Sequence, residues 1–316
     1  MMLGRTAALT DTGRKRRHNE DVFVLDPPLF AIADGMGGAN AGEVAAGLAA
    51  AALREIRDGG SGEEAVETLI QEANRRVYQR ATEDAAASGM GTTMTVALLE
   101  DGQVRIGHVG DSRAYLIRDG GLSQLTDDHS LVGELVRSGK LTPEDAESHP
   151  QRSVITRALG TDPDVDVDTI TVETRSGDVF LLCSDGLYSM VGNDRILELV
   201  ERHRGDLKTA AKALIAAANK GGGDDNITVV AFEIAGADDE TLRIEGEQAS
   251  AAPSPEDEET LTEANGVPTV TPPSEVESSA EPHQPDSPRP PRFVLVFLAV
   301  LLIALAAAIV VYLFFR

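Results

Sequence analysis

Five times in the first 230 residues an apolar run abuts a carboxylate. Leu29-Phe30-Ala31-Ile32-Ala33 ends at Asp34-Gly35, and Val179-Phe180-Leu181-Leu182-Cys183-Ser184 ends at Asp185-Gly186. Asp111 follows a run ending in Val109-Gly110, Glu20-Asp21 precede Val22-Phe23-Val24-Leu25, and Asp225 precedes Asn226-Ile227-Thr228-Val229-Val230. One such junction is an ordinary turn: a buried strand with an acid at its rim, bent on glycine. Five in one domain predict carboxylates gathered along a common edge. Clustered anions repel, and a cation between them is what keeps such a cluster together. All the candidate donors are oxygens, without a cysteine pair or a His-x-x-x-His spacing, which suits Mg²⁺ or Mn²⁺ and argues against structural zinc. Two such ions can activate water and clamp a phosphoryl group. That chemistry also wants a guanidinium for the phosphate oxygens. Arg16, five residues before Asp21, is a candidate, although the basic run 14–17 reads equally as a solvated stretch.

The elements that must position these acids alternate through residues 1–235. Strands are expected at 6–10, 22–25, 29–33, 93–99, 103–109, 114–117, 166–172, 179–183 and 227–234. Helices are expected at 42–57, 63–87, 131–138, 194–203 and 207–219. Asp101-Gly102 and Asp119-Gly120-Gly121 are hairpin signals, so the sheets are expected to be antiparallel. The helices come in two consecutive pairs, which predicts an α+β layering rather than a doubly wound parallel sheet.

The chain has 316 residues and a formal net charge of −24, from 52 acidic and 28 basic residues. A body so acidic is a poor candidate for sequence-independent nucleic-acid binding. The single cysteine, Cys183, excludes an internal disulfide and reads as a small buried apolar residue. No signal peptide is read at the N-terminus. Residues 236–292 change character: they carry a net charge of −11, are rich in Pro, Ser, Thr and Glu, and contain no aromatic residue. Such a segment is expected to be a disordered linker. Thr260, Thr262, Thr269 and Thr271 within it are within reach of a kinase, although a passive spacer is the simpler reading. Residues 293–315 are uninterrupted apolar sequence flanked by Arg289, Arg292 and Arg316. As a helix the run is about 34 Å long, enough for one crossing of a bilayer core of about 30 Å. The flanking arginines favour the body on the cytoplasmic side.

The motifs Arg16-Arg17-His18-Asn19-Glu20-Asp21, Ala33-Asp34-Gly35-Met36-Gly37-Gly38, Gly91-Thr92-Thr93, Gly110-Asp111-Ser112-Arg113, Ser184-Asp185-Gly186-Leu187 and Asp225-Asn226 resemble, in order and spacing, those of the metal-dependent protein phosphatases, the PPM or PP2C family. The bacterial branch is the nearer likeness. The resemblance implies an αββα sandwich: two antiparallel sheets face to face with a helix pair on each outer side. It implies two Mn²⁺ or Mg²⁺ ions bridged by Asp34, with the Gly35 carbonyl on the second ion and Asp185 and Asp225 completing the first. Glu20 and Asp21 would hold the surrounding water shell, and Arg16 the substrate phosphate. Bacterial members can hold a third ion, whose site Asp111 and Asp185 match. The implied reaction is hydrolysis of phosphoserine and phosphothreonine in proteins by a metal-bridging hydroxide, without a phosphoenzyme. The implied partners are phosphoproteins, a eukaryotic-like Ser/Thr kinase among them; no oligomeric state follows.

One departure stands out. Met36 occupies a place where eukaryotic members often carry a histidine acid, and a thioether has no proton to give. His18, His108 and His149 are the alternatives considered, beside a metal-bound water. Residues 126–160 resemble the flap beside the family's active site, with one helix expected at 131–138 and the remainder mobile. A pseudophosphatase or membrane scaffold is the competing reading, and the complete acid set argues against it. A partner-switching phosphatase shares the same chemistry.

Overall fold

The computed structural model describes residues 2–37, 41–55 and 61–236. The expected linker and membrane helix lie outside those residues. Among the described residues no helix is long and apolar enough to cross a membrane.

The strands are β1 (Met2–Asp11), β2 (Asp21–Asp26), β3 (Leu29–Met36), β4 (Gly91–Thr92), β5 (Met94–Glu100), β6 (Gln103–Val109), β7 (Arg113–Arg118), β8 (Gly121–Gln124), β9 (Asp168–Glu173), β10 (Val179–Cys183) and β11 (Ile227–Ala235). The helices are α1 (Ala41–Glu55), α2 (Glu63–Glu83), α3 (Leu131–Arg137), α4 (Pro143–Glu147), α5 (Asp185–Tyr188), α6 (Asn193–Arg202) and α7 (Leu207–Gly221). One sheet has the order β1-β11-β10-β7-β8. The other has β2-β3-β5-β6-β9, with β4 paired to β3. Every pairing is antiparallel. The described elements all fall within one compact unit, Met1–Ala252.

Period-two alternation sorts the side chains into three cores. On β3, Phe30 and Ile32 join Phe180 and Leu182 of β10 and Val230, Phe232 and Ile234 of β11 between the sheets. Phe232 stacks on Phe30 and on Phe180, with ring centroids 4.1 and 5.1 Å apart, which ties the two sheets together. The alternate residues, Ala31 and Ala33, face α1 and α2. Val179, Leu181 and Cys183 face α6 and α7. The two expected helix pairs thus cover opposite outer faces. Alanines 45, 46, 49, 50 and 52 let α1 lie close to its sheet.

The structure differs from the sequence reading at particular points. The expected helix 63–87 ends at Glu83, because the Asp84 side chain accepts from Ala86 N–H and starts a separate 3₁₀ turn, Ala85–Ala87. The strand expected at 93–99 is β5, Met94–Glu100, and a separate two-residue strand, β4, precedes it, since the Thr93 backbone turns aside to donate to the Asp34 carbonyl. The strand expected at 166–172 begins only at Asp168. β8 is not among the expected strands, because Gly121–Gln124 has no apolar alternation; it is an edge strand with mostly exposed side chains. Between 126 and 160 there is a second helix, α4, started by Thr142 capping Asp145 N–H with Pro143 at its first position.

Candidate functional site

Asp34 does not end its strand. β3 runs on through Gly35 and Met36 by pairing with β4. Asp34 is instead held in mid-strand, directly opposite Asp21 in the β2–β3 register. Like charges in that position repel, so the surroundings must fix them. The Asp34 N–H donates to Thr93 Oγ1 at 3.0 Å, and its carbonyl accepts from Thr93 N–H and Thr92 Oγ1, each at 2.9 Å. That is the work of the Gly91-Thr92-Thr93 motif. Asp21 is buried, and its Oδ2 accepts from Ser184 Oγ at 2.7 Å and Thr228 Oγ1 at 2.6 Å. Asp21 Oδ1 has no hydrogen-bond partner.

Gly35 lies where no other residue fits. A Cβ there would stand 2.1 Å from the Gly42 carbonyl oxygen and 2.7 Å from that of Glu20. Its N–H donates to the Glu20 carbonyl at 3.1 Å. Met36 packs over Gly91, whose Cβ would fall 2.9 Å from Met36 Cε.

Asp185, expected at the edge of a strand, directly follows β10 and Ser184 and is the first residue of α5. Gly186 lets that helix tuck against β11, since a Cβ would come within 2.0 Å of the Asn226 carbonyl oxygen. Ser184, at the helix N-cap, makes no side-chain cap and gives its hydroxyl to Asp21. Asp185 Oδ1 is the second buried oxygen without a partner among the described residues.

Asp225 stands at the foot of β11. Its Oδ2 accepts from Arg16 Nη2 at 2.7 Å, and Arg16 Nη1 lies 3.7 Å from Glu20 Oε2. Asn226 fastens the loop that carries Arg16 and Glu20. Its Oδ1 accepts from Glu20 N–H at 2.8 Å, while its Nδ2 donates to the Thr12 and His18 carbonyls at 3.0 and 2.9 Å. Gly13, with φ of +77°, packs where a Cβ would meet the Asp225 carbonyl at 2.1 Å.

Asp111 follows β6 and is 5% exposed. Tyr188 of α5 donates its hydroxyl to the Asp111 carbonyl at 3.0 Å, and Arg113 lies 3.5 Å over the Tyr188 ring.

These carboxylates lie within electrostatic reach of one another. Burial, and then the charges of Asp21, Asp185, Asp111 and Asp225, push the Asp34 carboxyl well above its ordinary range. Burial, with Asp111, Asp225 and Asp21, does the same to Asp185. Asp111 is pushed up to about 7 by burial and by Asp128, against the pull of Arg113. Asp21 is raised to about 6, chiefly by burial, with the Thr228 and Ser184 hydroxyls working the other way. Burial works against the Arg16 charge, yet Asp225, Glu20 and Asp34 outweigh it and hold its pKa up.

The cluster therefore lacks positive charge and carries two orphaned buried oxygens, which is the environment a divalent cation satisfies. Among the described residues no three His, Cys, Asp or Glu side chains enclose an ion by themselves. The donor set fits ions that keep waters and take a backbone carbonyl, as Mg²⁺ does.

Of the three histidines considered as proton donors, His108 and His149 have ring nitrogens engaged elsewhere. His108 is fully buried, with Nδ1 2.9 Å from Thr95 Oγ1 and Nε2 3.1 Å from the Asp127 carbonyl; burial and then His129 lower its pKa to about 4. His149 is half-buried and accepts from Gln151 N–H through Nδ1. His18 is exposed at the loop that Asn226 fastens. Ser184, Thr93 and Asn226 stood inside the motifs without an assigned role, and Thr228 and Tyr188 were not singled out. Only the sheet register, which pairs Thr10 with Thr228 and brings β11 to Ser184, reveals their partners.

Comparison with known proteins agrees with this geometry. Residues 17–218 match the family model for protein phosphatase 2C. The serine/threonine phosphatase stp of Listeria monocytogenes is 42% identical over 236 residues, covering 71% of this chain and 93% of that protein. The crystal structure of the Mycobacterium tuberculosis serine/threonine phosphatase PstP/Ppp superposes with a TM-score of 0.70 at 40% identity, covering 74% of this chain and 100% of that one. A structure of the PstP catalytic domain in complex with two manganese ions superposes with a TM-score of 0.68 at 38% identity, covering 74% and 99%. The chain belongs to the protein phosphatase 2C family, in the metal-dependent, two-sheet form that the site describes. Within it, the chain is a protein serine/threonine phosphatase.

Proposed function

We propose that Asp34, Asp111, Asp185 and Asp225, with the Gly35 carbonyl, hold Mn²⁺ or Mg²⁺ at this edge, and that Glu20 and Asp21 order the shell behind them. Two ions form the working pair, and a third takes Asp111 and Asp185. The observation that carries this reading is the set of mutually repelling carboxylates around the partnerless Asp185 Oδ1. Ions bound there supply Lewis-acid chemistry, acidifying water and neutralising phosphoryl charge.

The chain's own groups do the rest. Arg16 is half-exposed and uses Nη2 on Asp225, while Nη1 lies 3.7 Å from Glu20, beyond hydrogen-bond distance, and can donate to a phosphoryl oxygen. Thr92 and Thr93 stop Asp34 from swinging away from Asp21. Ser184 and Thr228 fix one Asp21 oxygen and leave the other to the shell. Met36 packs against Gly91 and donates no proton, so water is the default source for the leaving alkoxide.

The substrates of this reading are phosphoserine and phosphothreonine proteins, a Ser/Thr kinase among them. The apolar run 293–315 supports a single-pass anchor with the catalytic unit on the cytoplasmic side, joined by the acidic segment 236–292. Residues 1–252 should hydrolyse a phosphothreonine peptide with Mn²⁺, lose that activity in EDTA and regain it on Mn²⁺ addition. Asp34→Ala, Asp185→Ala and Asp225→Ala should each abolish turnover. Tight phosphopeptide binding without turnover in the unmodified chain would instead support a scaffold. Alkaline extraction of membranes should retain the full chain and release one ending at 292; release of both would refute the anchor.

A further inference from the structure

The reading above leaves one buried histidine unused. His129 is 2% exposed and stands where the segment 126–160 leaves the core. Its N–H donates to the Gly110 carbonyl at 2.7 Å, and its Nδ1 accepts from the Gly110 N–H at 3.0 Å. Both backbone groups of the residue before Asp111 thus end on one side chain and its own amide. Gly110 has φ of +111°, and a Cβ there would lie 2.6 Å from Thr93. The turn is therefore held from outside in a conformation that few residues adopt.

The same histidine reaches the other end of the segment. Because Nδ1 accepts, Nε2 carries the proton and donates it to Asp168 Oδ2 at 3.1 Å. Arg157 donates to Asp168 Oδ1 at 2.5 Å, and Thr156 N–H donates to the His129 carbonyl at 2.9 Å. On the far flank of Asp111, Arg113 makes a bidentate pair with Asp128 at 2.9 and 2.6 Å. Asp128 and His129 together therefore grip both sides of the Asp111 turn.

We propose that His129 is a positioning residue: through its two bonds to Gly110 it directs the Asp111 carboxylate into the acid cluster and couples that carboxylate to the segment 126–160. The coupling to cations rests on the reading of Asp111 as a metal ligand. The two amide variants separate the roles of the ring nitrogens. His129→Asn keeps an acceptor at the δ position and loses the donor to Asp168. His129→Gln keeps the ε donor and loses the acceptor for Gly110.

The full chain is titrated with Mn²⁺ by calorimetry, and Asp111→Asn identifies the binding step that depends on Asp111. His129→Gln should weaken that step about tenfold and leave the others within about twofold, at the lower end of what supporting groups contribute at metal sites. His129→Asn should stay close to the parent. Hydrogen exchange in metal-free protein gives a readout that needs no ion: the peptide spanning 107–113 should exchange faster in His129→Gln than in His129→Asn. Equal behaviour of the two variants, or equal weakening of every step, overturns the proposal. If Asp111→Asn removes no step, the ligand reading of Asp111 fails by itself, and unchanged exchange at 107–113 in His129→Gln then overturns the positioning role. Should His129→Gln not fold, Asp168→Ala takes its place: it removes both carboxylate acceptors and so frees Nε2 but not Nδ1, and exchange should rise in 155–159 and stay unchanged in 107–113. Any other pattern counts against the proposal.

Discussion

Asn226→Ala tests how the phosphate-facing loop is held. Asn226 is 3% exposed, and its side chain makes three hydrogen bonds, all to backbone groups of residues 12–20. Alanine removes all three and leaves the Glu20 N–H and the Thr12 and His18 carbonyls to find water. At a net value of about 0.5–1.5 kcal/mol each, the loss is roughly 2–4 kcal/mol. In a domain of this size that lowers Tm by about 5–15 °C. The loop carries Arg16 and Glu20, so kcat/KM on a phosphothreonine peptide should fall by about tenfold or more, equivalent to about 1.4 kcal/mol of transition-state stabilisation. The assay pairs thermal melts in EDTA, which isolate the loop from cation binding, with turnover at saturating Mn²⁺. Asn226→Asp is the sharper control: it keeps the acceptor for Glu20 N–H but sets an oxygen against two carbonyls, so it should not rescue. A melt within about 2 °C of the parent, with unchanged turnover, would refute the reasoning.

Two further outcomes follow from the same site. Asp111 and Asp21 titrate in the folded state at about 7 and about 6, above their ordinary 3.8, so the folded chain binds protons more tightly than the unfolded one. Metal-free stability should therefore fall as pH rises from about 4 through 7; Asp111→Asn should melt higher than the parent in EDTA at pH 7.5, with the difference shrinking as pH falls toward about 4, and a parent that gains stability across this range would contradict the reading. Gly186→Ala places a methyl 2.0 Å from the Asn226 carbonyl, so α5 must move: the variant should be destabilised by circular dichroism melts and bind Mn²⁺ more weakly, and a parent-like titration would show that α5 does not set the Asp185 position.

Much of this site was legible from residue order alone, because strands deliver their terminal acids wherever the sheet places strand ends. Asp34, Asp185 and Asp225 could be picked from apolar runs meeting carboxylates. The helix pairs and the antiparallel sheets were legible for the same reason: period and turn chemistry are local. What was not legible depends on register. Nothing near Asp21 in sequence announces that Thr228, 207 residues away, will supply its hydroxyl. Asp34 reads as a strand end because its continuation, Gly35-Met36, has a partner of only two residues in β4. His129 carries no periodic signal; its importance lies in meeting Gly110, which a single sequence does not pair with it.

The register of β1 on β11 has a mechanical consequence. Met2 lies opposite Ala235, and Asp11 lies opposite Ile227, beside Asp225. The two ends of the described domain thus leave side by side, at the opposite end of the strand pair from the acids. Force applied between those ends loads the β1–β11 ladder in unzipping, one bond after another, rather than in shear across all of them. The strands part first near Met2 and Ala235, and the peeling front must travel nearly the length of β11, about 30 Å at the usual rise per residue, before it reaches Thr10, Thr228 and the acids. Tension on the chain ends is thus spent at the far edge of the sheet before it can disturb the site.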